Sequence, residues 1–185
     1  MKDSMTALVT RRQEPLQHRY AEVPEEARIA DHARAASPGA DPFHGTVTAG
    51  DGRGGPWNFG IHRAVGGDHD LPNPGDILCA ALAACLDSTL RMIAARMGVP
   101  LRSLEISVTA HADVRGCLMV DRSVPAGFRR IEVGVQLEPG EGVDAARVGM
   151  LTATAERCCV VLQTLRGAVP VTTTVRAPAE GTAAQ

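Results

Sequence analysis

Apolar positions recur along the chain with two periods, and each predicts a different kind of element. From about Pro74 to Met97, Leu78, Ala81, Cys85, Thr89 and Met92 form one stripe at three- and four-residue steps. Leu82, Leu86, Leu90, Ile93 and Met97 form a second stripe beside it. Most of the circumference is therefore apolar until Arg91, which predicts a central, largely buried helix. Pro74 suits a first helical turn, and Gly98 and Pro100 end the pattern. A second helix is expected from Val143 to about Arg166, where Val148, Leu151, Ala155, Cys158, Leu162 and Leu165 keep a near-heptad spacing before Gly167.

Elsewhere the period is two. Leu104, Ile106, Val108 and Ala110 alternate with Glu105, Ser107, Thr109 and His111, and Ile131, Val133, Val135 and Leu137 alternate with Glu132, Gly134, Gln136 and Glu138. These predict two half-buried strands, paired antiparallel, with a long connection in which Cys117 to Val120 pairs briefly. Val169, Val171, Thr173 and Val175 predict a closing strand. Short strand-like pieces at Gly45–Ala49 and Trp57–His62 flank a glycine-rich loop and read as a hairpin. Before them the pattern is weak: Pro15, Pro24, Pro38 and Pro42 interrupt it, and one alternating piece, Leu16 to Val23, reads as a strand. The organisation expected is a partly extended N-terminal arm over 1–44, one domain over 45–176 and a frayed tail over 177–185. The order of strands and helices points to an α+β fold, not a regular parallel α/β one.

Composition narrows the function. The 185 residues suit one domain, and 19 basic against 21 acidic residues leave a formal charge of −2. No positive field advertises nucleic acid, and aromatics at 3% are too few for base-stacking platforms, so no nucleic-acid partner is expected. The longest run of apolar and small residues, Ile77 to Leu86, is roughly half the ~20 residues that span a bilayer. Asp76 and Asp87 close it, so no membrane partner is expected either. The N-terminus lacks the order of a secretory signal, which makes the cytoplasm the expected compartment. Five cysteines, an odd number, argue against a disulfide framework there.

Candidate chemistry lies in those cysteines. Cys85 stands mid-helix among small residues, and Cys158-Cys159 follows Arg157 in the second helix. One reading makes them small core hydrophobes; another makes them reactive thiols, favoured by a nearby cation. His62, Asp68, His69 and Asp70 form a polar cluster just before the first long helix, read as a solvated loop, as metal ligands, or as the source of a His69 base for Cys85. No nucleotide or dinucleotide fingerprint is present, and neither a cofactor nor a metal is expected.

Three blocks carry a resemblance: Asn73-Pro74-Gly75-Asp76-Ile77-Leu78, Ala80-Ala81-Leu82-Ala83-Ala84-Cys85-Leu86, and Cys159-Val160-Val161-Leu162-Gln163-Thr164-Leu165. In order and spacing they resemble the OsmC/Ohr family of osmotically inducible protein C and organic hydroperoxide resistance proteins, over roughly Gly60 to Val175. The resemblance implies an OsmC-like fold, with antiparallel sheets, two long central helices and an intertwined homodimer. It further implies a thiol peroxidase acting on organic hydroperoxides and restored by a dithiol reductant. Cys85 would be the peroxidatic thiol and Cys159 the resolving one, chosen over Cys158 because the family's second cysteine stands six residues before a leucine. The family activates its thiol with an arginine oriented by a glutamate. At the glutamate position this chain has Gly75, with Asp76 one residue later; Arg63 is the nearest candidate arginine, with Arg53 behind it. Leu82, Leu86 and Phe59 are expected to wall an apolar pocket that favours bulky peroxides. The alternative is a non-catalytic member of the same fold that binds a small hydrophobic or thiol ligand at the dimer interface.

Overall fold

In the computed structural model, which describes residues 5–37, 41–167 and 169–175, the elements run α1 (Met5–Glu22), β1 (Ala33–Ala36), β2 (Gly45–Ala49), β3 (Trp57–Phe59), α2 (Pro74–Arg96), β4 (Leu101–His111), α3 (Val114–Cys117), β5 (Arg130–Pro139), α4 (Ala145–Cys158) and α5 (Val160–Arg166). The expected tail over 177–185 lies outside the described residues. Two antiparallel sheets result, β1-β2-β3 and β4-β5.

The β4–β5 pair follows the alternation read from the sequence. Leu104 faces Leu137, Ile106 faces Val135 and Val108 faces Val133. One row of this ladder packs on the core while Glu105, Ser107 and Thr109 stay exposed. Leu82, Leu86, Leu90 and Ala94 of α2 meet Leu151 and Ala155 of α4, with Cys159 and Leu162 beyond, in one buried cluster. The core therefore sits between a two-stranded sheet and three helices, an α+β arrangement.

Asn73 fixes where α2 begins. Its Oδ1 accepts the Gly75 N–H at 2.8 Å and the Asp76 N–H at 3.3 Å, and the Asp76 carboxylate takes the Asn73 N–H at 3.0 Å in return. This reciprocal cap satisfies donors that the first turn leaves unpaired. Asn73→Ala is expected to cost about 1 kcal/mol, read as a lower urea midpoint; an unchanged midpoint would show that the cap contributes nothing.

Several expectations need correction. Leu16 to Val23 is not a strand: residues up to Glu22 form α1, which lies on α2 through Arg96, whose guanidinium donates to Gln13 and Gln17 at 3.1 and 3.3 Å. Tertiary contact has overridden a short alternation that could be read either way. Cys117 to Val120 does not pair; Cys117 ends α3, and Leu118, Met119 and Val120 form an exposed turn. The third strand stops at Phe59 instead of reaching His62. Residues 169–175 form no strand, and Val171 is 89% exposed. Alternation says which face of a strand is apolar but not whether the same chain offers an edge to pair with.

The burial of α2 is also one-sided. Its 23 residues have a mean hydropathy of 1.7 in their most apolar stretch, enough by length and composition to cross a membrane, yet only 28% of that stretch is buried. Ala80, Ala81 and Ala84 face outward.

Candidate active site

The expected second long helix is two helices. The Cys159 N–H still bonds the Ala155 carbonyl at 2.9 Å, but Cys159 turns extended (φ −74°, ψ 107°), and α5 starts anew with the Gln163 N–H on the Cys159 carbonyl. No proline forces this break. It moves the buried position from Cys158, which is exposed, to Cys159, which is fully buried. In an unbroken helix the Val160 N–H would bond the Glu156 carbonyl. Here that carbonyl is capped by Gln163 Nε2 at 2.7 Å, and the freed N–H groups of α5 turn toward sulfur.

Cys85, half-buried on α2, is what they meet. Burial works against its ionisation, but it is outweighed by the Val161 N–H, the Cys159 thiol, the Val160 N–H and the Thr89 hydroxyl. Together they hold the Cys85 thiol below its ordinary value. Cys159 is pushed up, by burial first and also by its contact with Cys85, against the opposing pull of the Leu162 N–H. The two shifts have one physical meaning: Cys85 takes the negative charge, and the Cys159 S–H donates to it. Both cysteines are free thiols in side-chain contact, so the pair expected from the sequence is brought together in space. Cys158, facing solvent, does not join it.

Arg63 and Asp76 do not join it either. Arg63 lies exposed on a single 3-10 turn, Arg63–Val65, and among the described residues its guanidinium makes no hydrogen bond or ion pair. The Asp76 carboxylate is spent on Asn73, which it meets at its backbone N–H and at Nδ2. Gly75 explains itself sterically: a Cβ there would lie 2.9 Å from Asn73 Oδ1 and 3.1 Å from the Phe128 ring. The space that a longer side chain would use is filled from the β4–β5 connection.

The polar loop before α2 also resolves. His62 and His69 stack edge to face with ring centres 4.3 Å apart, His69 Nδ1 accepts the Arg63 N–H, and His69 is not among the groups that act on Cys85. Among the described residues no group of three or more His, Cys, Asp or Glu side chains is placed to hold a metal ion. Asp70 instead grips His44, whose Nε2 lies 3.1 Å from it while Nδ1 lies 2.7 Å from Asp41. Hydrogen bonds to Asp41 and then Asp70 raise the His44 pKa; Asp41 is lowered by the Phe43 N–H and then by His44, and Asp70 by His44 first. A raised imidazole stabilises the fold fully below its unfolded value and loses that contribution as pH rises through the folded one; the lowered carboxylates lose theirs on acidification. The clasp is thus strongest between about pH 4 and about pH 6.5. Comparing thermal midpoints of the protein and a His44→Gln variant across pH should show the difference shrinking on the alkaline side; a constant difference would sink the assignment.

Beside the thiols, an open groove of about 450 Å³ runs between α2, β5, α4 and α5, with Leu82, Leu86, Ile131, Val133 and Leu162 on its apolar floor. Leu82 and Leu86 line it as expected. Phe59 does not, because its ring is packed against Gly45, and neither sulfur is part of the lining.

A family model described as OsmC-like protein matches residues 67–174, more than half of the chain. The chain belongs to the OsmC-like family. Solved structures agree on the fold. The OsmC-like protein from Mycoplasma pneumoniae superposes with a TM-score of 0.61 at 15% identity, over 76% of this chain and 89% of that one. An organic hydroperoxide resistance protein from Elizabethkingia anophelis gives 0.56 at 19% identity, over 76% and 91%. The organic hydroperoxide resistance protein OsmC from Legionella pneumophila gives 0.51 at 22%, over 75% and 90%. No curated protein sequence matches this OsmC-like chain. The site itself contains two groups that the sequence did not single out for chemistry, Thr89 and Gln163. The first carries a signal, a hydroxyl one helical turn after a cysteine in an apolar stripe; the second carries none.

Proposed function

We propose that this OsmC-like protein is a thiol-dependent reductase of organic hydroperoxides, with Cys85 as the attacking sulfur and Cys159 as the resolving one. The observation that carries the reading is the side-chain contact between half-buried Cys85 and fully buried Cys159 at a helix break that leaves N–H donors facing sulfur, with which the lowered Cys85 and raised Cys159 thiols agree. The Cys85 thiolate attacks the outer oxygen of ROOH, the O–O bond breaks, and the alkoxide leaves with a proton as ROH. Cys85 is then a sulfenic acid. The Cys159 thiol condenses with it, losing water and forming the Cys85–Cys159 disulfide. An external dithiol returns both to thiols by exchange, which suits a reducing compartment such as the cytoplasm. Activation comes from neutral donors, not from an arginine oriented by a carboxylate. That organic hydroperoxide resistance proteins share the fold supports the substrate class.

A homodimer belongs to the same proposal. The outward face of α2, with Ala80, Ala81 and Ala84, and the exposed Val169, Val171 and Val175 are apolar surface that a second copy would cover.

The test is mass spectrometry of the reduced protein after a brief stoichiometric dose of cumene hydroperoxide. The expected product has lost two hydrogens, mapped to a Cys85–Cys159 bridge. Scattered slow oxidation at the exposed Cys117 and Cys158, or no change, would overturn the reading in favour of a ligand-binding member of the fold.

A further inference from the structure

Thr89 is the one buried polar residue among the described residues, 7% exposed, on α2 one turn after Cys85. Its Oγ1 donates to the Cys85 carbonyl at 2.7 Å, and the same hydroxyl lies within hydrogen-bonding reach of the Cys85 sulfur. A threonine bonding back to the preceding turn is common in helices and by itself means little. Here the hydroxyl has one hydrogen and two acceptors. The carbonyl does not depend on it: mid-helix, it takes a backbone N–H from the next turn, and Ser88 Oγ, shared with the Ala84 carbonyl at 2.9 Å, also reaches it at 3.0 Å. The sulfur, once ionised, has no charged side chain hydrogen-bonded to it among the described residues, and its other donors are the α5 N–H groups and the Cys159 thiol.

We propose that the Thr89 hydroxyl is a switching donor for Cys85, turning its single hydrogen from the Cys85 carbonyl to the sulfur when the thiol ionises. The rotation is about the C–O bond alone, so no side chain has to repack. Among the groups donating to this sulfur, Thr89 is the one whose donor can be deleted without touching either the backbone or the resolving thiol. The inference rests on Cys85 as the attacking sulfur, and it assigns Thr89 to the reacting centre as a positioning and donor group.

The experiment is the pH dependence of Cys85 alkylation by iodoacetamide, followed by peptide mapping, in the full-length protein and in Thr89→Val and Thr89→Ser. Valine has nearly the shape of threonine without the hydroxyl; serine keeps the hydroxyl without the methyl. The expected result for Thr89→Val is a midpoint about one pH unit higher, hence alkylation roughly tenfold slower well below the midpoint, with an unchanged rate at high pH. Thr89→Ser keeps the original midpoint. If valine proves not to fold, as judged by circular dichroism, Thr89→Ala replaces it with the same expectation. A midpoint unmoved without the hydroxyl, or moved equally by serine, overturns the proposal. Alkylation consumes no peroxide, so a protein that alkylates as expected yet forms no disulfide with cumene hydroperoxide would keep Thr89 in this role and discard the peroxidase reading.

Discussion

Under the proposed function, replacing Cys85 with serine is expected to abolish hydroperoxide reduction, by at least about 10³-fold in stopped-flow assays with cumene hydroperoxide. Replacing Cys159 with serine instead leaves the first turnover and removes the later ones. The asymmetry follows from the two environments. Among the described residues, only Cys85 sits where backbone N–H groups, a thiol and a hydroxyl converge on one half-buried sulfur, and a serine there would need ionisation that these neutral donors cannot support at neutral pH. Cys159 is fully buried, and its contact with Cys85 makes it the donor of the pair. With serine there, a hydroxyl remains to donate toward Cys85 and the first turnover is kept, but the sulfenic acid has no thiol with which to condense. Excess peroxide then carries Cys85 on to the sulfinic acid, a gain of two oxygens relative to the thiol in the intact mass. Equal loss of the first turnover in both variants would mean that the sulfurs do not divide the work this way.

How much of this could be read from the sequence depends on what each element rests on. The α2 helix and the β4–β5 pair rest on repeated periodicity over ten or more residues, with proline, glycine and asparagine marking the ends, and both were legible. That Cys159, not Cys158, lies beside Cys85 was expected only through the family resemblance, whose second cysteine stands six residues before a leucine, while the heptad stripe pointed to Cys158. That conflict was real: periodicity assumes one continuous helix, and the break at Cys159 has no proline to announce it. What holds the break is tertiary, with Cys159 buried against α2 and Gln163 capping the carbonyl left behind. Arg63 and Asp76 are not among the groups that meet the thiols, for a related reason. Proximity in sequence to an expected motif says nothing about where a side chain's hydrogen bonds go, and those of Asp76 go to its own helix cap. The N-terminal helix was missed because its fit is to α2 through Gln13 and Gln17, polar residues that carry no periodic signal.

Leu151→Ala is the substitution expected to destabilise the protein most, by about 2–5 kcal/mol. Leu151 is completely buried where α4 packs on α2, and alanine would leave a cavity inside the one buried cluster that joins the two helices. Stability margins of folded domains are only about 5–15 kcal/mol, so one such cavity removes a large part of the total. The urea midpoint is expected to fall by more than about 1 M. Met150→Ala, one residue away but with Met150 61% exposed, is the control and should stay within about 0.5 kcal/mol. The same substitution tests how the fold serves the thiols. Leu151, Ala155 and Cys159 descend one face of α4 onto α2, so a cavity at the first loosens the seat of the last. Under conditions where Leu151→Ala remains folded, Cys85 should alkylate with a higher pH midpoint than in the unaltered protein, because its N–H and S–H donors are no longer held against it. A large loss of stability with an unmoved midpoint would instead mean that the α5 donors are fixed from the α2 side alone, through Leu162 and its neighbours, and that α4 contributes only packing.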